Sequence, residues 1–211
     1  MAEVHQIGQK DDLPQAEKKD ISWNKERLDQ KTERVKTKIK SKNNLSQYDK
    51  LAKRAIANKL KLSEKYPISP NELGLDYNCL IHGDLYCENV FFNEQDEVAY
   101  VYDWEKAKIA PRCYEIIRSM MYTIFDKKYN EQAINKAKLH LQTYKENYKL
   151  TNKQIELGVK TMTLNSIYSM WVLEEYYLKD NKRVKPILKT ELERIKFFGD
   201  GLEEVIEKFK F

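Results

Sequence analysis

Residues 79–105 read Cys-Leu-Ile-His-Gly-Asp-Leu-Tyr-Cys-Glu-Asn-Val-Phe-Phe-Asn-Glu-Gln-Asp-Glu-Val-Ala-Tyr-Val-Tyr-Asp-Trp-Glu, and the rest of the chain is organised around them. An apolar run leads to His82, and a glycine turn then leads to an acid, Asp84. Asn89 comes five positions after that acid, and a second acid, Asp103, follows two β-rich runs. A ribbon with this set of side chains predicts a site that handles protons or a metal ion.

The two β-rich runs cover residues 90–93 and 98–102, and the polar residues 94–97 separate them. This pattern predicts a hairpin with a short loop. Because a hairpin returns the chain beside its start, we expect Asn89 and Asp103 to lie about one or two residues apart across the pair. Their oxygens, with no histidine or thiolate pair at ligand spacing, suit Mg²⁺ bound with phosphate oxygens better than zinc.

The spacing from His82 to Asn89 matches the loop that kinases use for phosphoryl transfer. That loop reads His-x-Asp-x-x-x-x-Asn and is followed by a metal-binding Asp. In this interpretation Asp84 orients or deprotonates the acceptor hydroxyl, and His82 braces the loop by hydrogen bonding. Asn89 and Asp103 would hold Mg²⁺. Gly83 in place of arginine, and Asp-Trp-Glu in place of Asp-Phe-Gly, distinguish the chain from protein kinases.

The two motifs together resemble the aminoglycoside phosphotransferase and choline kinase superfamily, whose signature is His-Gly-Asp-x-x-x-x-Asn followed by Asp-Phe/Trp-Glu. The resemblance implies a protein-kinase-like fold and transfer of the γ-phosphate of ATP or GTP to a small-molecule hydroxyl, with Mg²⁺. Superfamily acceptors include aminoglycosides, choline and homoserine, and the acceptor of this chain stays open.

The resemblance also implies an acid, usually within Asp-Leu-Ala, on the helix after the motif, where it helps to order the catalytic loop. Here that position reads Glu115-Ile116-Ile117. Glu115 is the nearest counterpart, and an i,i+3 pair with Arg118 is the alternative.

The expected fold class is α+β, mostly α, equivalent to the C-terminal lobe of a kinase with a small hairpin that carries the catalytic loop and the metal-binding Asp. The length of 211 residues and a hydrophobic content of 41% suffice for a core. The resemblance is expected to span most of 1–211, divided into a post-hinge segment at 1–20, a helical pair at 21–66, the catalytic loop and hairpin at 78–105, and C-terminal helices at 110–211.

A kinase also has a β-rich N-terminal lobe that covers the nucleotide, and we expect this chain to lack it. Asp84 comes too early in the chain to follow such a lobe. Only Gly8 and Gly74 precede Gly83, which is too few for the glycine-rich loop that covers the phosphates in such a lobe. Weak nucleotide binding and slow or no turnover are therefore expected, since the lost charge neutralisation is worth several orders of magnitude. The alternative is a catalytically inactive kinase-like remnant or interaction module. A missing N-lobe partner or a homodimer would cover the hinge face.

Helical periodicity predicts a helix over 23–42 capped by Ser22, a second over 46–65 and a single long helix over about 153–178. On that last helix, Trp171 and Glu175 could bind a cationic acceptor group by charge and cation–π attraction. The alternative is that Glu175 simply pairs with a lysine at the edge of the helix stripe.

Several classes are disfavoured by composition. The net charge is +5, but the lysines of residues 25–65 alternate with acids, which indicates solvated helix faces rather than nucleic-acid binding. A basic nucleic-acid-binding helical protein remains an alternative that rests on charge alone. Three cysteines without Cys-x-x-Cys predict neither a disulfide framework nor a zinc site. The absence of a long apolar run and of a signal peptide predicts a cytoplasmic protein that does not bind membranes.

Overall fold

The computed structural model describes residues 1–9, 21–125 and 129–211, so residues 10–20 of the predicted post-hinge segment lie outside the described residues. No helix in the described part of the chain is long and apolar enough to cross a bilayer. The α-helices are α1 Ala2–Ile7, α2 Lys25–Lys40, α3 Gln47–Lys65, α4 Arg112–Thr123, α5 Glu131–Asn147, α6 Asn152–Tyr168, α7 Trp171–Leu178, α8 Ile187–Asp200 and α9 Leu202–Phe209. The strands are β1 Cys79–Ile81, β2 Val90–Phe92, β3 Val98–Val101 and β4 Lys108–Ala110.

The structure is thus mostly helical, of the α+β class, with small antiparallel sheets. It comprises two compact units. The first contains Met1–Ile21, Leu73–Met162 and Glu203–Phe211, and the second contains Ser22–Glu72 and Thr163–Leu202. The strands β1 to β4 of the described residues belong to the first unit.

In the first unit, the predicted catalytic loop, residues 82–89, lies between two short strand pairs. β1 pairs with β4, with Leu80 opposite Ile109, and β2 pairs with β3, with Val90 opposite Val101. The loop that follows β1 therefore runs directly into the β2–β3 hairpin. Helix α4 packs against β1, and the side chains of its inner face are fully buried. The loop is held between a buried strand and a buried helix.

The second unit begins with a helix start that differs from the prediction. Ser22 is not the cap, because α2 starts at Lys25 and Asn24 is its N-cap, with its side chain accepting from the Arg27 N–H at 2.7 Å. The indole of the buried Trp23 donates to the Ile68 carbonyl at 2.8 Å. Because Trp23 is tied to that loop, the chain turns into the helix after it and not before it.

Helix α3 starts at Gln47, one residue later than predicted, and Ser46 is its N-cap. Ser46 and Asp49 form a capping box, in which each side chain bonds the backbone N–H of the other. The buried Asp49 carboxylate also accepts from Lys42 at 2.6 Å and from the Tyr177 hydroxyl at 2.7 Å. Burial alone would raise the pKa of Asp49, but these donors together hold it well below its usual range.

The predicted helix over 153–178 is wrong as a single element, because α6 ends at Tyr168 and α7 starts at Trp171. The cause is Lys59 on α3, which is 1% exposed. Its ammonium donates to the carbonyls of Ser166 and Ser169, both at 2.7 Å, and pairs with Glu191 at 2.6 Å. A cation that satisfies terminal carbonyls stabilises a helix end, so a residue far away in sequence places the break.

Candidate active site

His82 opens the catalytic loop and is completely buried. Its Nδ1 accepts from the Asp84 backbone N–H at 3.2 Å, and its Nε2 lies 2.8 Å from the Tyr102 carbonyl oxygen. Since a carbonyl can only accept, Nε2 carries the proton, and the imidazole has one donor and one acceptor in use. The ring also packs against Trp104, with centroids 4.6 Å apart. His82 thereby joins the catalytic loop to the end of β3.

Glu115 on α4 holds the same loop from the other side. Its carboxylate accepts from the backbone N–H groups of His82 at 3.1 Å and Gly83 at 2.5 Å. It also accepts from His5 Nε2 at 2.9 Å, and His5 Nδ1 bonds the Tyr144 hydroxyl at 2.8 Å. Glu115 and His5 are both almost fully buried. Glu115 therefore orders the loop, as the resemblance implies, and His5 of α1 is a partner that the sequence did not indicate.

Gly83 allows the close approach of the loop to the chain after the hairpin. Its φ is +82°, in the left-handed region that favours glycine, and a Cβ there would lie 2.3 Å from the Lys106 carbonyl oxygen. A side chain at this position is excluded by both conformation and space.

We expect Gly83→Ala to lower the free energy of unfolding by about 2 to 3 kcal/mol, because backbone strain and a backbone clash add. Gly74→Ala is the matched control: its φ is also positive, +59°, but nothing lies within 4 Å of the added Cβ. Strain alone should cost about 1 kcal/mol there. Urea unfolding of both variants measures the difference, and equal losses would show that the contact with Lys106 is not tight.

Asn89 and Asp103 come together through the hairpin register. The Tyr102 N–H donates to the Asn89 carbonyl at 3.2 Å, so Asp103 follows directly after the residue that faces Asn89. The Asn89 amide nitrogen donates to the Asp84 carbonyl at 2.8 Å, which leaves its amide oxygen for another partner. Asp103 is exposed and has a φ of +62°, an uncommon conformation that aspartate tolerates.

The side-chain oxygens of Asn89 and Asp103 suit a hard cation that also binds oxygens of a ligand. Among the described residues, no group of three or more histidine, cysteine, aspartate or glutamate side chains could hold a metal ion. One amide and one carboxylate form an incomplete set, as expected where Mg²⁺ takes its other ligands from phosphate oxygens and water. The donor set therefore suits a magnesium–phosphate group and does not suit zinc.

Asp84 forms ion pairs with two side chains that the sequence did not predict as its partners. One carboxylate oxygen bonds the Lys106 ammonium and the other bonds the Arg118 guanidinium. Arg118 also stacks on the Tyr122 ring, 4.6 Å from its centroid. Burial alone would raise the pKa of Asp84, but Lys106 and Arg118 lower it below its ordinary value. Asp84 is thus held ionised, and Arg118 pairs with Asp84 instead of forming the alternative i,i+3 pair with Glu115.

The proposed acceptor residues Trp171 and Glu175 lie on α7, in the second unit. Trp171 is 51% exposed. The Glu175 carboxylate bonds Lys179 at 2.6 Å and the Asn181 amide at 3.2 Å, and these donors lower its pKa. The lysine pair that was the alternative at this position is therefore present.

Comparison with known proteins concerns the family and the fold of the chain. The family described as "Phosphotransferase enzyme family" (APH) matches residues 1–146. Among solved structures, the aminoglycoside phosphotransferase from Alicyclobacillus acidocaldarius subsp. acidocaldarius DSM 446 has a TM-score of 0.55 and 13% identity, covering 85% of this chain and 57% of its own. Spectinomycin phosphotransferase APH(9)-Ia, solved with ADP and spectinomycin, has a TM-score of 0.47 and 17% identity, covering 99% of this chain and 61% of its own.

A search of curated proteins finds no match. The chain spans less than two thirds of the length of either solved relative. The likeness in structure concerns the fold, and the family match covers more than half of the chain. Because that match includes the catalytic loop, the hairpin and α4, the chain belongs to the phosphotransferase enzyme family.

Proposed function

We propose that this chain is the catalytic C-terminal lobe of a phosphotransferase that moves the γ-phosphate of ATP or GTP to the hydroxyl group of a small molecule. The observation that carries the proposal is the arrangement of side chains in and around the catalytic loop. His82 and Glu115 hold its backbone, Asp84 is kept ionised, and Asn89 and Asp103 are neighbours across the hairpin.

In the proposed reaction, the acceptor oxygen forms a bond to the γ-phosphorus while the bond between that phosphorus and the bridging oxygen breaks. The bridging oxygen keeps the electron pair and leaves with the nucleoside diphosphate, and the acceptor proton passes to Asp84. Asn89 and Asp103 would hold Mg²⁺, which neutralises phosphate charge when it is bound. The chain itself mainly positions the groups and supplies charge.

The role of Asp103 can be tested against a matched aspartate. Asp103→Asn should lower magnesium-dependent transfer by roughly 10- to 100-fold, because a ligand carboxylate becomes neutral. Asp96→Asn is the control, since Asp96 lies in the hairpin loop, is exposed and has a similar φ of +60°. Rates are measured over a range of Mg²⁺ concentrations. If both variants lost activity equally, Asp103 would not be a ligand.

The chain is further proposed to bind magnesium-nucleotide weakly when it is alone. Support comes from the chain's share of the aminoglycoside phosphotransferase described above, 57% of its length, and from the presence of only two glycines, Gly8 and Gly74, between Met1 and Gly83. A nucleotide titration at high Mg²⁺ tests this, and micromolar affinity would contradict it. A partner that supplies an N-terminal lobe, or a second copy, would then complete the site.

The acceptor is proposed to be a small hydroxyl compound, not a nucleic acid, and Trp171 and Glu175 are proposed to contact a cationic group on it. The experiment is transfer of labelled γ-phosphate from ATP and GTP to aminoglycosides, choline, homoserine and simple sugars, with Asp84→Ala as background. Transfer above background to any of them supports the proposal. Because slow turnover is expected, the assay uses saturating magnesium-nucleotide and long incubation. The absence of both transfer and phosphate release above background under these conditions would contradict the proposal.

A second candidate is a catalytically inactive kinase-like module. The observation in its favour is that Lys106 and Arg118 both pair with Asp84, which reduces the tendency of the carboxylate to accept a proton. Such a module would still bind nucleotide or a partner protein. The transfer experiment separates the two candidates, because only the first requires a difference between the unaltered chain and Asp84→Ala.

A further inference from the structure

Asp84, Lys106 and Arg118 form a cluster with two positive charges and one negative charge. The cluster therefore carries a net positive charge beside the proposed acceptor hydroxyl. Anionic oxygens are attracted to such a place, and charge-assisted hydrogen bonds to them are stronger than neutral ones. The proposed reaction brings a phosphoryl group to this point.

The two cations differ in their freedom to move. The side chain of Arg118 is 15% exposed and its guanidinium lies on the Tyr122 ring. The side chain of Lys106 is 53% exposed. An exposed lysine has a flexible four-carbon stem and gains little from a single solvent-screened ion pair. Arg118 is consequently the fixed partner of Asp84, and Lys106 is the one that can leave.

The backbone of Lys106, by contrast, is held in place. Lys106 ends the 3₁₀ turn that begins directly after Asp103. Its carbonyl oxygen is so close to Gly83 that a Cβ there would lie 2.3 Å away. The stem of the side chain thus starts from a point anchored to the catalytic loop, between the proposed base and the proposed metal ligand. Only the ammonium end needs to move.

We propose that Lys106 is a catalytic residue that leaves Asp84 to bind the γ-phosphoryl group of the nucleotide. This inference rests on the proposed function and adds to it a cation contributed by this chain. When Lys106 moves to the phosphoryl oxygens, one Asp84 oxygen becomes available to the acceptor hydroxyl while Arg118 keeps the carboxylate oriented. Lys106 forms and breaks no covalent bond, and it neutralises charge on the group being transferred.

The test compares two nucleotides that differ in the γ-phosphate. Magnesium–ADP and magnesium–β,γ-imido-ATP, which resists hydrolysis, are titrated by NMR into the 211-residue chain without an acceptor. We expect the triphosphate analogue to bind about ten-fold more tightly than ADP to the unaltered chain, from one added charge-assisted contact. Lys106→Met should remove this preference and leave ADP affinity within about two-fold, whereas Lys106→Arg should keep part of it.

Lys136→Met is the charge-matched control, because Lys136 is an exposed lysine of α5 in the same unit. It should retain the preference for the triphosphate. Thermal unfolding checks that each variant is folded, and Lys106→Gln provides a second neutral variant. If Lys106→Met prefers the triphosphate analogue over ADP as strongly as the unaltered chain does, this inference is overturned and the proposed function still stands. Failure of the unaltered chain to bind either nucleotide would overturn both.

Discussion

Asp84→Asn is expected to lower the turnover of the chain by about a thousand-fold, the size of effect typical of a lost general base. The amide keeps the shape of the carboxylate but cannot take the proton of the acceptor hydroxyl at neutral pH. Nucleotide binding should change much less than turnover, because Asp84 faces the acceptor in the proposed reaction. Single-turnover transfer with excess chain measures the chemical step directly.

The substitution also removes the anion shared by Lys106 and Arg118, so a loss of stability of about 1 to 3 kcal/mol is expected with it. Asp49→Asn separates the two effects. Asp49 is also a buried aspartate with a lysine partner, but it lies at the start of α3. It should lose stability and keep turnover per folded molecule. Full turnover by Asp84→Asn would remove Asp84 from the chemistry.

The residues that the sequence could place are those joined by short stretches of chain. Asn89 and Asp103 are connected by two strands and a short loop, and alternation of β-rich and polar residues is enough to predict that they return to each other. The loop from His82 to Asn89 is likewise local, and its spacing carries the family signature. Glu115 required the resemblance, since nothing in the local sequence indicates that it faces the loop.

The partners that were missed come from distant parts of the chain. His5 lies 110 residues before Glu115, and Lys106 lies 22 residues after Asp84. An isolated histidine or lysine has no periodicity that marks its partner, and only the packed structure brings the pair together. Arg118 had a plausible local partner in Glu115 at i+3, but a helix-surface pair of this kind is worth only about 0.2 to 0.5 kcal/mol. Tertiary contacts with Asp84 outweigh it.

The helix ends illustrate the same limit. The start of α3 was predicted to within one residue, and the capping box of Ser46 and Asp49 that sets it is formed by residues close together in sequence. The start of α2 was misplaced by two residues, and the break after Tyr168 was missed. Trp23 and Lys59 cause these differences through contacts with Ile68 and with the end of α6. Local helix propensity cannot predict contacts between residues that are distant in sequence.

Glu115→Gln is expected to lower the free energy of unfolding by about 3 to 5 kcal/mol, because a buried carboxylate with several donors is replaced by a group that is itself a donor. Glu115 is 1% exposed and accepts from two backbone N–H groups of the catalytic loop and from His5. The amide supplies one oxygen, and its NH₂ group must face an N–H group. At least one buried donor then loses its partner.

Two further variants make this result specific. Glu146→Gln, at an exposed site on α5, should change stability by less than about 0.5 kcal/mol. Glu115→Asp keeps the charge and restores the acid that the superfamily signature usually has there, so it should lose less stability than Glu115→Gln. Urea unfolding followed by circular dichroism measures all three. A stability of Glu115→Gln equal to that of the unaltered chain would mean that the loop does not depend on this carboxylate, and activity would then have to be explained without it.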